Sequence, residues 1–207
     1  GHALLVQGLV VAPTCNDCHG DHAILPPQYP DSTISRERIP DTCGKCHVLV
    51  EEIYNDSIHG QLVKNRDARG PVCNTCHTAH EITASVDTQF RLHSDQMCGK
   101  CHGDRLENYR ETFHGKALAL GRSGVAACYD CHGHHDILPA SNPLSHISDE
   151  NRLETCQKCH PKANKNFAAS IVHADHTDKD RYPYLYYTFI LMTSLLIGTF
   201  VFFAIHT

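Results

Sequence analysis

Two hydropathy regimes divide the chain. Residues 183–205 (PYLYYTFILMTSLLIGTFVFFAI) are apolar around every face of a helix, and no Asp, Glu, Lys or Arg occurs from 182 to 207. A helix of these 23 residues is about 34 Å long, enough to cross a hydrocarbon core of about 30 Å. Tyr182, Tyr184, Tyr186 and Tyr187 gather at its start as an interfacial aromatic belt does, after the polar lead-in HADHTDKDR at 173–181. A soluble core helix keeps a polar stripe, which this one lacks. Before residue 180 the apolar positions come only in short runs. Segments 47–58, 103–113 and 161–172 lack Pro after their first residue and predict helices of two to three turns. LPPQYP at 25–30 and LPASNPL at 138–144 predict turns or extended linkers. No stretch alternates as a strand does. The expectation is a mostly irregular chain with short α-helices, no significant sheet, and one C-terminal transmembrane helix at 181–207.

Residues 1–180 hold too little Leu, Ile, Val and Phe to pack a large core unaided. Composition suggests what replaces it: the 207-residue chain has 12 Cys and 18 His but no Trp. Its net charge of −5 argues against a nucleic-acid partner. All cysteines fall in six C-x-x-C pairs: Cys15 with Cys18, Cys43 with Cys46, Cys73 with Cys76, Cys98 with Cys101, Cys128 with Cys131, and Cys156 with Cys159. The next residue is always histidine: His19, His47, His77, His102, His132 and His160. Given the pairs, and His at 18 of 207 positions, six such coincidences arise by chance roughly once in two million.

C-x-x-C-H is the attachment signature of c-type haem. The two thiols add to the two vinyl groups of one porphyrin, and the adjacent imidazole becomes the proximal iron ligand. Three four-cysteine zinc ribbons or six disulfides are the rival readings. Neither explains a histidine at the same offset after every pair. The expected cofactors are six covalent c haems.

The motifs alternate between two kinds. CNDCHGDHAILP (15–26), CNTCHTAHEI (73–82) and CYDCHGHHDILP (128–139) carry a second histidine three residues on: His22, His80 and His135. CGKCH (43–47), CGKCH (98–102) and CQKCH (156–160) are followed after 12 or 13 residues by His59, His114 and His173. The period is 55 to 58 residues, giving three dihaem repeats at about 2–58, 59–113 and 114–176 within a hexahaem domain, 1–180. His59 and His114 lie 14 residues before the next first-kind cysteine, and His2 lies 13 before Cys15. The sequence therefore reads as starting inside a repeat, with a signal sequence expected upstream, either alone or with further haem-binding sequence; the alternative is an ordinary mature terminus.

Only Met97 and Met192 exist, so methionine ligation, which raises haem potential, is nearly excluded. The distal candidates are His2, His22, His59, His80, His114, His135 and His173. His22, His80 and His135 cannot reach round to their own iron, because three residues span at most about 10 Å. They are expected to serve a neighbouring haem, with the partner of the pair first in line. His59, His114 and His173 fit either their own haem or the next first-kind haem. His2 correspondingly serves the first haem or one upstream. His93, His134, His146, His176 and His206 default to surface or supporting roles, and the scattered acidic residues form no catalytic pair. Haem propionates would add up to about twelve negative charges and favour basic partners.

Alternating C-x-x-C-H, x-H-G and C-H-G-x-H-x-I elements over residues 2–176 resemble the multihaem c-type cytochromes of respiratory bacteria. The resemblance implies an electron conduit, and the near-exclusion of methionine adds low-potential bis-histidine haems; whether the chain is itself an enzyme stays open, an electron-transfer subunit, alone or within an oxidoreductase complex, being the favoured expectation. In the quinol-dehydrogenase cytochromes of the nitrite- and nitrate-reductase type the anchor is N-terminal, whereas here it is C-terminal. That placement is similar to inner-membrane cytochromes sitting on a quinol-oxidising or b-type integral subunit. It implies a haem domain on the periplasmic side of a bacterial inner membrane, contact with membrane lipid, and periplasmic cytochromes or other redox proteins as partners. The rival expectation is a multihaem reductase of a small nitrogen or sulfur oxyanion, which requires one open haem site.

Overall fold

The computed structural model describes residues 12–82 and 87–206. Among them the chain forms twelve α-helices and a short 3-10 turn, with no strand. The two kinds of cysteine motif fold differently, and the reason is local. Each first-kind motif is one helical turn: α1 (Cys15–His19), then, after α2 (Ile39–Gly44), α3 (Val48–Asp56) and α4 (Ile58–Lys64), α5 (Cys73–His77). The chain continues through α6 (Thr88–Gly99), α7 (Gly103–Glu111) and α8 (Phe113–Ala119) to the third such turn, α9 (Cys128–His132). The second variable residue of the motif closes the turn by accepting a hydrogen bond from the backbone N–H that precedes it. Asp17 accepts from Thr14 at 2.6 Å, Thr75 from Val72 at 3.1 Å and Asp130 from Ala127 at 2.7 Å. This pairing satisfies a donor left over at the N-terminus of the turn.

Second-kind motifs instead sit at the C-terminal end of a longer helix: α2, α6 and α10 (Arg152–Gln157). The chain makes one further turn there, with the N–H of His47, His102 and His160 donating to the carbonyl of Cys43, Cys98 and Cys156 at 2.9–3.0 Å. His47 and His102 then act as N-caps of α3 and α7.

The helices α3 and α4, like α7 and α8, form a bent pair. Ser57 and Thr112 stand at the bends in extended conformation. Each hydroxyl donates to the Tyr54 or Tyr109 carbonyl at 2.6 Å and accepts from the N–H of Gly60 or Gly115 at 3.0 and 3.1 Å. The phenol of Tyr54 donates to the Pro71 carbonyl at 2.6 Å and that of Tyr109 to Ala126 at 2.7 Å. Two small cores form around these bends: Tyr54, Val63 and Val72 in one, Tyr109, Leu118, Val125 and Ala127 in the other. The glycine of the x-H-G element has a steric purpose. A Cβ on Gly60 would lie 2.0 Å from the Tyr54 carbonyl oxygen, and one on Gly115 would lie 2.2 Å from that of Tyr109.

Proline-rich linkers of the first and third repeats fold alike around buried serines. Ser32 and Ser145 donate to the carbonyls of Leu25 and Leu138 at 2.8 and 3.1 Å, and Thr42 and Thr155 to those of Thr33 and His146 at 2.6 and 2.7 Å. The middle repeat is shorter here, Cys98 following His80 by 18 residues against 21 in the other two, and α6 takes the place of the linker. The sequence pattern does not predict α6, because QFRLHSDQM has no helical apolar period. In 161–172 only α11 (Lys165–Ala168) forms. Pro161 follows the motif directly, and Asn164 restarts the helix by accepting from the Phe167 N–H at 3.0 Å. The helices expected at 47–58 and 103–113 end at Asp56 and Glu111.

Helix α12 (Pro183–His206) has 24 residues, a mean hydropathy of 2.3 and no buried residue, so it is long and apolar enough to cross a membrane. Gly115→Ala is expected to cost about 1–3 kcal/mol through overpacking at the α7–α8 bend. Gly124→Ala, where a Cβ meets open space, should stay within about 0.5 kcal/mol. Denaturant unfolding of the two variants checks this.

Candidate functional site

The bends and turns bring histidine rings together in pairs at closely similar separations. His19 faces His80 with ring centres 6.2 Å apart, His77 faces His135 at 5.9 Å, and His132 faces His173 at 6.1 Å. His102 faces His59 at 6.3 Å and His160 faces His114 at 6.0 Å. Each pair joins one C-x-x-C-H histidine to one outside the motif. Two imidazoles bound to one metal from opposite sides, with metal–nitrogen bonds of about 2 Å and roughly 1.1 Å from ring nitrogen to ring centre, have centres about 6.2 Å apart. All five pairs match that separation. No group of three or more His, Cys, Asp or Glu placed to hold a metal ion occurs among the described residues. Two opposed imidazoles fall short of the four ligands of a structural zinc site, and are what a macrocycle occupying the equatorial positions leaves for a protein to supply.

Burial favours the neutral form of several of these rings. His59, His77, His114, His132, His135 and His173 all have lowered basicity, first from burial, then from a neighbouring imidazole or, at His173, the Arg105 guanidinium. The neutral imidazole is the form that binds a metal. Nδ1 of His173 is buried with no hydrogen-bond partner, a costly arrangement for a polar atom.

Cysteines of successive motifs adjoin in chain order, and none is in a disulfide. A thiol–thiol hydrogen bond links Cys43 to Cys73, holding Cys43 down to about 7 and pushing Cys73 up. The same bond between Cys98 and Cys128 lowers the first and raises the second. Cys18, Cys76 and Cys131 are raised, chiefly by burial and next by Cys43, Cys98 and Cys156 respectively. The six pairs thus run 1–2–3–4–5–6 along the fold.

The two thiols of a second-kind motif differ in a way that the sequence does not anticipate. The motif spacing makes Cys46 and Cys101 equal partners of Cys43 and Cys98 as haem tethers. In the structure Cys43 and Cys98 adjoin Cys73 and Cys128, whereas the neighbouring Cys46 and Cys101 take no such thiol partner; Cys46, Cys98, Cys101 and Cys159 are all exposed and Cys43 is half-buried. The cause is the extra turn past the helix end. There the N–H of Cys46 donates to the Cys43 carbonyl at 3.2 Å, and those of Cys101 and Cys159 to Cys98 and Cys156 at 3.3 Å. Their thiols still neighbour the preceding motif, Cys46 acting on Cys18, Cys101 on Cys76 and Cys159 on Cys131. Cys15 is likewise an exposed free thiol, and Cys156 a half-buried one.

Around the motifs, large apolar side chains stand uncovered, Leu49 at 73%, Phe113 at 72% and Leu144 at 79% exposure among them. Beside the sixth pair, Cys159, His160, Pro161, Ala163 and Phe167 line an open concavity of about 440 Å³, within the usual size of a ligand site.

The facing partners differ from the sequence expectation. His80 and His135 face the preceding first-kind histidine, not the partner of their own pair. His59 and His114 face the next second-kind histidine, neither their own motif's nor the next first-kind one. His173 faces back to His132. The bends at Ser57 and Thr112 turn His59 and His114 away from their own motifs, and the positive φ after each first-kind turn, at Thr78 and Gly133, turns the chain that carries His80 and His135 off the helical path. Among the described residues no ring faces His22 or His47, and His2 lies outside them. The other five histidines find ordinary partners. His93 bonds the Gln89 carbonyl at 2.8 Å, His146 bonds Asp136 at 2.6 Å and His206 bonds the Phe202 carbonyl at 2.9 Å. His134 packs on Tyr129 and His176 on Phe189 of α12.

Several supporting residues carry no signal in the local sequence. Arg91 of α6 donates to the carbonyls of Ser123 and Val125 at 2.6 and 2.8 Å, to the Tyr129 hydroxyl at 3.0 Å and to Asp130 at 2.6 Å, bracing α9 and its histidine. Arg36, one repeat earlier, donates to the carbonyls of Asp67 and Gly70. Their spacing of 55 residues, equal to a repeat period, is the one signal that could have found them. Phe90 lies 5.5 Å from His77 and Phe167 5.0 Å from His160, centre to centre, and neither recurs at repeat spacing.

Comparison with protein-family models, with curated proteins and with solved structures finds no match.

The residue after each first-kind motif takes positive φ: Gly20 at 80°, Gly133 at 85° and Thr78 at 60°. With ψ of −178°, Thr78 occupies a region that is nearly glycine's alone. Thr78→Gly is therefore expected to stabilise the fold by about 1 kcal/mol, read as a raised denaturation midpoint, whereas Gly133→Thr should lower it by a similar amount.

Proposed function

We propose that the chain is a multihaem c-type cytochrome that carries single electrons along six covalently held haems. The observation that carries this reading is the recurrence of five motif histidines, each faced by a second imidazole at 5.9–6.3 Å. Supporting it are the thiol pair beside each motif histidine, the orphaned His173 nitrogen, and the apolar side chains left uncovered around them. A haem, when bound, supplies a one-electron iron couple whose potential follows its axial ligands and burial.

The chain's own residues then divide the work. Cys15 and Cys18, Cys43 and Cys46, Cys73 and Cys76, Cys98 and Cys101, Cys128 and Cys131, and Cys156 and Cys159 tether the six groups as thioethers. The exposure of Cys46 and Cys101 suits this role, since a tethering sulfur must meet a porphyrin edge rather than the protein's own interior. His19, His47, His77, His102, His132 and His160 ligate from the motif side; His80, His135, His173, His59 and His114 ligate from the other. The separation of His59 from His102 is 43 residues and of His114 from His160 is 46; His2 precedes His47 by 45, and completes that site in this scheme. The motif order keeps successive sites adjacent. Arg36, Arg91 and the tyrosine bends hold ligands stiffly, which keeps reorganisation on electron transfer small.

Helix α12 anchors the domain in a bacterial inner membrane, with the haem domain on the periplasmic side. In this reading the fifth motif lies nearest the bilayer, supported by the pairing of His132 with His173 and the packing of His176 on Phe189 of α12. Electrons enter there from a quinol-oxidising or b-type integral subunit and leave toward the first motif, to periplasmic cytochromes or other redox proteins.

The rival reading, a reductase of a nitrogen or sulfur oxyanion, requires an iron with one open axial position. Detergent-purified protein should retain six haems per chain after denaturation, show only low-spin signals in electron paramagnetic resonance, and bind no CO when reduced. Loss of haem on denaturation would overturn the cytochrome reading, and one CO-reactive haem per chain would favour the reductase. His59→Met should raise the potential of a single haem by on the order of 0.1–0.2 V, measured by spectroelectrochemical titration.

A further inference from the structure

We infer that the buried ion pair between Asp95 and Arg110 lowers the potential of the fourth haem, the one tethered at Cys98 and Cys101, below those of the second and sixth. The inference rests on the cytochrome reading above. Asp95 stands three residues before Cys98 on α6, so the two side chains share a face of that helix. Its side chain is 3% exposed, against 43% for Arg110 on α7. One carboxylate oxygen accepts from Nε and Nη2 of Arg110 at 3.1 and 3.0 Å, and the other from the Gln96 N–H at 2.8 Å. Tyr109, beside Arg110, belongs to the small core against which Cys128 packs. The carboxylate also acts electrostatically on the Cys98 and Cys128 thiols and on the Tyr109 phenol. A buried anion is thus placed among the tethering sulfurs of the fourth and fifth sites.

The pair has no equivalent in the other repeats. Pro40 and Leu153 stand where Asp95 would, three residues before Cys43 and Cys156, and Asn55 and Ala168 stand where Arg110 would, twelve residues after those cysteines. The acid and the base occur together or not at all. Stability does not call for them, because the first repeat builds the same tyrosine bend without either, and a buried ion pair gains little over apolar packing. The second and fourth motifs are both CGKCH, so the tether itself cannot distinguish their haems. A charge can. Ferric haem carries one positive charge more than ferrous, so an adjacent anion favours the ferric state and lowers the potential. Arg110 offsets this only in part, since its half-exposed guanidinium is screened by solvent while the carboxylate acts through the low-dielectric interior. Asp95 thereby sets a step in potential in the middle of the line of sites.

The test is spectroelectrochemical titration of the detergent-purified protein at about pH 8, above the range in which carboxylates ordinarily titrate. Asp95→Asn should raise the ferrous-to-ferric ratio of one haem about tenfold at a fixed applied potential, which is about 59 mV for a one-electron couple. Arg110→Gln should move the same haem the opposite way, and Arg110→Lys, which keeps the charge, should lie close to the parent. Glu111→Gln, which breaks the exposed pair with Lys116, should move none. In the His59→Met background the Asp95→Asn shift should fall on the component that His59→Met itself displaces, which identifies the fourth haem. Opposed shifts separate a charge effect from loosened packing, which would displace the haem in one direction or open an axial position. No shift in Asp95→Asn, a shift on another component, or same-direction shifts in Asp95→Asn and Arg110→Gln overturns the proposal and leaves the cytochrome reading intact. Absence of any covalent haem would instead remove the reading on which the proposal rests.

Discussion

The separation of two imidazole rings by about 6 Å is the constraint on which this fold turns. A histidine beside a cysteine pair is easily placed, because a single helical turn does it. A second histidine on the opposite side is harder, since no short segment reaches round to that position. The chain meets the requirement by bringing the second ring from more than 40 residues away, His59 to His102 and His114 to His160, His80 to His19 and His135 to His77. The His80–His19 and His135–His77 pairings tie one repeat to the next, whereas His59–His102 and His114–His160 close within a repeat. The repeats consequently interlock rather than stack as independent units, and a line of sites in chain order follows from local turns alone.

The rest of the structure serves that placement. Buried apolar side chains form only two small cores among the described residues, each around a tyrosine whose phenol is bonded to a backbone carbonyl. Those cores set the bends that carry His59 and His114, and Gly60 and Gly115 allow the approach. Elsewhere the backbone is organised by serine and threonine hydroxyls bonded to carbonyls, not by packing. In the proposed cytochrome the porphyrins supply the missing apolar mass, and Leu49, Phe113 and Leu144 are left uncovered for them.

Much of this was legible in the residues. Regular spacing of cysteine and histidine exposed the six motifs, their alternation and the repeat period. The uniform apolarity of 183–205 exposed α12, and the lack of strand alternation agrees with a helical fold. What spacing could not convey was direction. His80 lies three residues from His77 and yet faces His19, because Thr78 at positive φ turns the chain away from the helical path. Likewise His59 follows His47 by 12 residues, but the bend at Ser57 points it at the next second-kind motif. The unequal surroundings of Cys43 and Cys46, or of Cys98 and Cys101, were hidden in the same way, because identical spacing says nothing about where a helix ends. Helix α6 was hidden for a related reason: Arg91 and Asp95 on it bond to Val125 and Arg110 outside the helix, so its stability draws on contacts that no local apolar period records.

The most direct test of facing imidazoles as iron ligands is anomalous diffraction from crystals of the membrane-extracted protein, collected on either side of the iron absorption edge. The account predicts iron peaks midway between His19 and His80, His59 and His102, His77 and His135, His114 and His160, and His132 and His173, with a further peak at His47. It would be contradicted by empty midpoints, or by peaks at the zinc edge among the cysteine sulfurs.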